Sequence, residues 1–178
     1  DAQALADDIS HLNATPVAGV FRPDSLEELA SRLRQSGEAV SIAGGRYSMG
    51  GQTLSPSSMQ LDMLGLNRLV WLDAAKRRVR VQAGMRWREL QELIDPHGLS
   101  VRTMQSYSNF TVGGSVGVNC HGRYVGHGPL VNSVRAIDRV LVTPPSAEPT
   151  AGSPRLALCY LCARLGERLA TGQISSLK

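Results

Sequence analysis

The stretch AVSIAGGRYSMGGQTLSP, residues 39–56, sets four glycines, an arginine and a tyrosine in the loop after a short apolar run. A second glycine-rich segment, TVGGSVGVNCHG, lies at 111–122. These segments restrict the chain more than any other feature. A loop so poor in side chains is either a tight turn or bare backbone reserved for a close neighbour. Glycine reaches positive φ without steric cost, so successive N–H groups can converge on an anion, and the missing Cβ lets a phosphate approach. The common nucleotide patterns do not fit. GGRYSMGG lacks the Lys-Ser/Thr ending of a P-loop, and a G-x-G-x-x-G fingerprint would open a long helix instead of running on through GGQTLSP. Two readings stand at this point: two glycine turns with no ligand, or two backbone cradles for an anion.

The flanking pattern predicts an α/β unit. VAGVFRP (17–23) reads as a strand stopped by Pro23, and AVSI (39–42) as the strand that enters the glycine loop. Between them lies a helix capped by Asp24 with Glu27 three residues on, striped by Leu26, Leu29, Ala30 and Leu33, and ended by Gly37. MQLDML (59–64) is a further strand, and residues 67–84 form two strands around a turn at Asp73 to Lys76. RWRELQELI (86–94) has Trp87, Leu90, Leu93 and Ile94 at helical spacing, closed by Pro96 and Gly98. VNSVRAIDRVLVT (131–143) reads as a strand. From Pro144 the chain turns into the linker-like PPSAEPTAGSP, then RLALCYLCARLGERLATG (155–172), a helical candidate.

With 178 residues, 42% of them hydrophobic, the chain can bury a core as one domain or two small lobes. No run approaches the roughly 18 apolar residues of a membrane helix, and DAQALADDIS lacks the regions of a signal peptide. A soluble, cytoplasmic protein with no membrane partner is the expectation. The first residue is Asp1, not Met, so a longer sequence is expected ahead of it. Much of the net charge of +4 lies in KRRVRVQAGMRWR (76–88). A nucleic-acid surface would interleave such a stripe with exposed aromatics, yet aromatics are 4% and the cations alternate with Val79, Val81 and Trp87. The stripe reads as the polar face of a half-exposed strand, and no nucleic-acid partner is expected. Cys159 and Cys162 have metal-ligand spacing, but no second pair exists, and Cys120, His11, His97, His121 and His127 bear no ligand spacing to them. No metal is expected.

Taken in order, SIAGGRYSMGGQ, LDMLGLNRLVWLDAAKRRVRVQAGMRWRELQELI and SYSNFTVGGSVGVNCHGR resemble the FAD-binding domain of the vanillyl-alcohol oxidase, or PCMH-type, family of FAD-linked oxidases, from about Val17 to Thr143. The resemblance implies an α+β fold with two lobes, about residues 1–66 and 67–143, clasping FAD. It places the FAD pyrophosphate on Gly44, Gly45, Arg46, Tyr47 and Ser48, with Met49 alongside, and further flavin contacts on Ser106, Thr111, Gly114, Val118, Asn119, Cys120 and His121. The residues agree with this chemistry. A diphosphate needs amide donors, and a cation such as Arg46 at about 4 Å would add on the order of 4 kcal/mol of attraction at an effective dielectric near 20. Thr111 can cap a short helix whose first amides face phosphate.

Two departures from the family bear on function. Many relatives attach the flavin through a histidine that this match places at Tyr47, and a phenol offers no imidazole nitrogen, so the FAD is expected to be non-covalent. QSYSNF has no thiol for a cysteine linkage, and Cys120 reads as a buried wall residue. The family's substrate domain, the source of most substrate and acid–base residues, is not recognisable after Thr143. Residues 144–178 are therefore expected to be a tail produced by truncation or a shifted reading frame. His121 and His127 read as packing or hydrogen-bonding residues, and no catalytic residue is assigned. The function implied is the FAD-binding domain of an oxidoreductase acting on an alcohol, sugar or lactone-like small molecule. A non-catalytic flavin-binding remnant, or a module needing a separate substrate-binding chain, is the alternative.

Overall fold

The computed structural model describes residues 4–123, 125–140, 162–164 and 174–177. Strand β1 (Ala4–Ala6) pairs antiparallel with β2 (Thr15–Val17). Strand β3 (Gly19–Phe21), helix α1 (Leu26–Gln35), β4 (Val40–Ala43) and β5 (Met59–Asp62) follow, and the strands form a parallel sheet ordered β3-β5-β4. Parallel neighbours need a crossover, and α1 supplies it between β3 and β4. Its Leu29 and Leu33 pack on Met59, Leu61, Met63 and Leu66, the buried core of this first lobe. Each such side chain contributes about 1.5–3 kcal/mol on full burial.

Several element boundaries differ from the sequence reading. The expected strand at 17–23 is divided between two sheets, β2 and β3. The α1 N-cap is Ser25 and not Asp24: its Oγ accepts from Glu28 N at 3.0 Å while Glu28 Oε2 accepts from Asp24 N at 2.8 Å. Both D-x-x-E and S-x-x-E spacings exist in DSLEE, and Ser25 supplies the cap, while the Glu28 carboxylate reaches one residue past it to the Asp24 amide. The helix ends at Ser36, before Gly37.

The second lobe is an antiparallel sheet ordered β10-β8-β9-β7-β6, with β6 (Leu69–Asp73), β7 (Arg78–Val81), β8 (Ala136–Val140), β9 (Cys162–Arg164) and β10 (Ile174–Leu177). Helix α2 (Trp87–Ile94) ends in a 3-10 turn and Gly98 at φ 64, the left-handed closure that Pro96 and Gly98 announced. Helix α3 spans Val112–Gly117. Val79, Val81, Met85, Trp87, Leu90, Ile94, Val112, Cys120 and Leu130 form this lobe's core. The strand expected over 131–143 begins only at Ala136, because Leu130–Ser133 form a 3-10 turn, and its last three positions lie outside the described residues. The helix expected over 155–172 is contradicted at Cys162–Arg164, which are extended and paired with β7 and β8, and its remainder lies outside the described residues. Strand pairing, a non-local interaction, overrode local helix propensity there.

The lobes meet at a close seam. Gly84 N donates to the Leu66 carbonyl at 2.8 Å, and any Cβ on Gly84 would overlap the Met63 carbonyl.

Candidate functional site

The glycine loop leaves β4 at Ala43 and runs toward the second lobe. There Phe110 and Thr111 are held antiparallel to residues 83–88: Trp87 N donates to Phe110 O (3.1 Å), Arg88 N to Ser108 O (3.0 Å), Val112 N to Met85 O (2.8 Å) and Gly113 N to Ala83 O (2.8 Å). Thr111 is the N-cap of α3, its Oγ1 accepting from Gly114 N at 3.2 Å, as the sequence reading expected.

The two loops press directly together. A Cβ on Gly44 would lie 2.5 Å from Thr111 Oγ1, and one on Gly45 would lie 2.9 Å from the Tyr47 ring and 3.2 Å from the Asn109 carbonyl. Neither glycine has positive φ; within the loop that conformation belongs to Arg46 (φ 62) and, further on, Gly51 (φ 73). Gly44 and Gly45 are therefore bare because protein approaches them, a correction to the expectation that they supply the left-handed turn. The fit to an anion rests on other atoms. Among the described residues, no hydrogen-bond acceptor is found for the backbone amides of residues 44–49, whereas Gly50 and Gly51 N–H groups are taken by Gln52 and Asp8. Gly44 to Ser48 are half-buried, so these are partly sheltered donors in search of an acceptor.

A brace that the sequence reading missed holds the loop from behind. Ile9 N donates to Arg46 O (2.9 Å), Arg46 Nη1 to the Asp7 carbonyl (3.2 Å), Asn13 Nδ2 to the Met49 carbonyl (3.0 Å), and Gly51 N to Asp8 Oδ2 (3.2 Å). The Arg46 guanidinium is thus turned toward the N-terminal segment. A different cation stands near Tyr47: Arg86, whose charge acts on the Tyr47 phenol and whose buried Nε has no partner among the described residues. The only signal for Arg86 in the sequence is its place in the basic stripe.

Tyr47 sits edge-on to both Tyr107 (ring centroids 5.3 Å apart) and Phe110 (5.0 Å), and those two rings are 5.6 Å apart. Edge-to-face pairs at this spacing add about 0.5–1.5 kcal/mol each beyond area burial. The hydrogen bond to Tyr107 raises the Tyr47 phenol above its ordinary value and lowers that of Tyr107, whose oxygen also accepts from Asn109 Nδ2 at 2.9 Å.

The remaining candidates lie further along. Ser106 is exposed beside Gln105, whose Oε1 accepts from Ser115 Oγ at 2.6 Å, and Ser115 in turn accepts from Trp87 Nε1 at 2.8 Å. Val118, Asn119 and His121 are exposed at the far end of α3, where Asn119 Oδ1 accepts from Val131 N at 3.1 Å. Cys120 is buried in the second core, and burial pushes its thiol up from its ordinary value. His127 Nδ1 lies 3.3 Å from the Arg102 carbonyl. A separate cavity of about 740 Å³ in the second lobe, lined by residues such as Leu72, Trp87, Ile94, Arg102 and Arg135, includes none of residues 44–49. Among the described residues no cluster of three or more His, Cys, Asp or Glu could hold a metal, and no helix is long and apolar enough to cross a membrane.

Comparison with known proteins agrees with this geometry. The FAD binding domain family model matches residues 17–143. The chain is 32% identical over 120 residues to L-gulonolactone oxidase of Bos taurus, covering 66% of this chain and 27% of that protein. It is 33% identical over 123 residues to alditol oxidase of Streptomyces sp., covering 68% and 29% respectively. A solved alkyldihydroxyacetonephosphate synthase superposes with a TM-score of 0.65 at 18% identity, covering 86% of this chain and 30% of that one, which shows the shared fold. The chain therefore spans little more than a quarter of the length of these two oxidases. With a matching family model over most of its length and an α+β fold in common with that solved structure, the chain belongs to the FAD binding domain family of PCMH-type, FAD-linked oxidases.

Proposed function

We propose that this chain binds FAD non-covalently between its two glycine segments, within a domain of residues 1–143 whose lobes divide near residue 66. The observation that carries the reading is the run of amides from Gly44 to Met49 with no described acceptor, set against the capped start of α3. These amides would take the pyrophosphate of FAD, with Thr111, Gly114 and Ser106 on the opposite side. Val118, Asn119, Cys120 and His121 would line its far end. Tyr47 supports non-covalent attachment, since a phenol in that place leaves no imidazole to bond.

When bound, FAD supplies the electron acceptance that oxidises a substrate carbon, and the protein supplies orientation and charge. The substrate we propose is an alcohol, sugar or lactone, the class named for the oxidases to which the chain is similar. Because the chain spans little more than a quarter of those oxidases, turnover is assigned to a complete substrate-binding partner or domain, and no catalytic residue is placed here. A cytoplasmic location, with neither membrane nor nucleic acid as partner, completes the proposal.

An absorbance spectrum of the purified or FAD-reconstituted protein, taken before and after acid precipitation, tests it. The expected result is a flavin band that moves wholly to the supernatant. Flavin retained in the pellet would refute non-covalent attachment, and protein that cannot be loaded with FAD would refute binding.

A further inference from the structure

The chain contains eight aromatic residues, two Trp, four Tyr and two Phe, and three of them meet at one point. All the ring pairs found among the described residues are the three edge contacts of Tyr47, Tyr107 and Phe110, with interplanar angles of 81°, 76° and 81°. Tyr47 comes from the loop after β4 in the first lobe, whereas Tyr107 and Phe110 come from the loop before α3 in the second. The cluster therefore crosses between lobes. It stands apart from the two buried cores: Tyr107 is 50% exposed, Tyr47 is half-buried, and only Phe110 packs partly on the second core.

We propose that Tyr47, Tyr107 and Phe110 form an interlobe latch that holds the two glycine segments together, so that ring packing sets how long a dissociable cofactor stays bound. This rests on the FAD reading above. The arrangement has the parts of a latch and hinge. The Gly84–Leu66 seam, where no Cβ fits, is the rigid side. The rings close the other side, and their contacts can separate without opening either core, the kind of low-cost local opening that precedes global unfolding. Each ring touches the other two, so deleting one breaks two of the three contacts. Gly45 belongs to the device, because the Tyr47 ring occupies the space a side chain there would need.

Two measurements on the full chain test the latch. In the FAD-loaded protein, release is followed by flavin fluorescence after dilution. Tyr107→Ala and Phe110→Ala are expected to release FAD about tenfold faster, and Tyr107→Phe, which keeps its ring, within about twofold of the parent. In the FAD-free protein, hydrogen exchange is read at Ile9, Trp87 and Arg88, whose amides donate to the carbonyls of Arg46, Phe110 and Ser108 in the two loops. Tyr107→Ala should speed exchange there about tenfold while leaving α1 unchanged. Unchanged release and exchange in both alanine variants would overturn the latch. So would Tyr107→Phe matching Tyr107→Ala. A parent protein that fails to bind FAD would instead count against the FAD reading, and the exchange data would still decide the latch.

Discussion

Asp8 shows how much of the candidate cradle depends on one side chain far away in sequence. Its carboxylate accepts from Ser10 N and Asn13 Nδ2, at 2.9 and 2.7 Å, and from Gly51 N at 3.2 Å. The Ser10 hydroxyl holds it below the ordinary carboxyl value, against the opposing effect of burial. A lowered folded value means that the stabilising contribution is present above the unfolded value near 3.8 and is lost as pH falls through the folded value. Asp8→Asn keeps the shape but not the second acceptor, and FAD affinity is expected to fall about fivefold at pH 7. FAD titrations of both proteins from pH 7 downward should stay apart through the ordinary carboxyl value of 3.8 and converge only below the lowered folded value, where the parent carboxylate is protonated as well. Curves that remain parallel would show that Asp8 does not brace the loop through its charge. Nothing in the linear sequence pairs Asp8 with Gly51, 43 positions on. The Thr111 cap was legible because a cap and the amide it satisfies are three residues apart. Arg46 was legible as a cation but not in its direction, which the Asp7 carbonyl decides.

The helices show a similar division between local and distant causes. The residues facing the core of α1 and α2 follow largely from apolar spacing: Leu29, Leu33, Trp87, Leu90 and Ile94 are buried, whereas Leu93, in the same apolar set, is 41% exposed. Where each helix docks depends on polar atoms that spacing does not reveal. Trp87 Nε1 in α2 donates to Ser115 Oγ in α3, which donates to Gln105 Oε1 in the loop carrying Ser106 and Tyr107. One hydroxyl thus ties two helices to a loop. Ser115→Ala would leave the Trp87 N–H and the Gln105 oxygen without partners inside the lobe, a cost of about 1–3 kcal/mol. Thermal unfolding should shift down by about 2–12 °C, at roughly 2–4 °C per kcal/mol for a chain of this size. An unchanged midpoint would mean that water replaces the hydroxyl and that the relay does not fix α2 against α3. The β8 start was misread for a related reason. The run 131–143 is apolar enough for a strand, yet the Val131 amide is claimed by Asn119 and the first residues wind into a turn.

At the level of the molecule, two cores are joined by a short seam, by Val140 of β8, which packs into the first core, and by a ring cluster, with the glycine segments between them. Sequence periodicity found both segments but could not bring them together; only the resemblance to a two-lobed family did so, because strand order places residues 44–49 beside 107–111. A ligand held by both lobes must couple their unfolding. Both tryptophans, Trp71 in β6 and Trp87 in α2, lie in the second lobe, so tryptophan fluorescence follows that lobe, whereas far-UV circular dichroism includes α1 of the first. Free FAD at about 100 times its dissociation constant should stabilise the folded state by about 2.7 kcal/mol, raising the midpoint by about 5–10 °C. If FAD bridges the lobes, both signals should rise together and share one transition. If it is held by the second lobe alone, the tryptophan midpoint would rise while the dichroism splits, because α1 and the parallel sheet would melt at their ligand-free temperature. The split would leave FAD binding intact but remove the first glycine loop from the site, which a simple binding titration could not reveal.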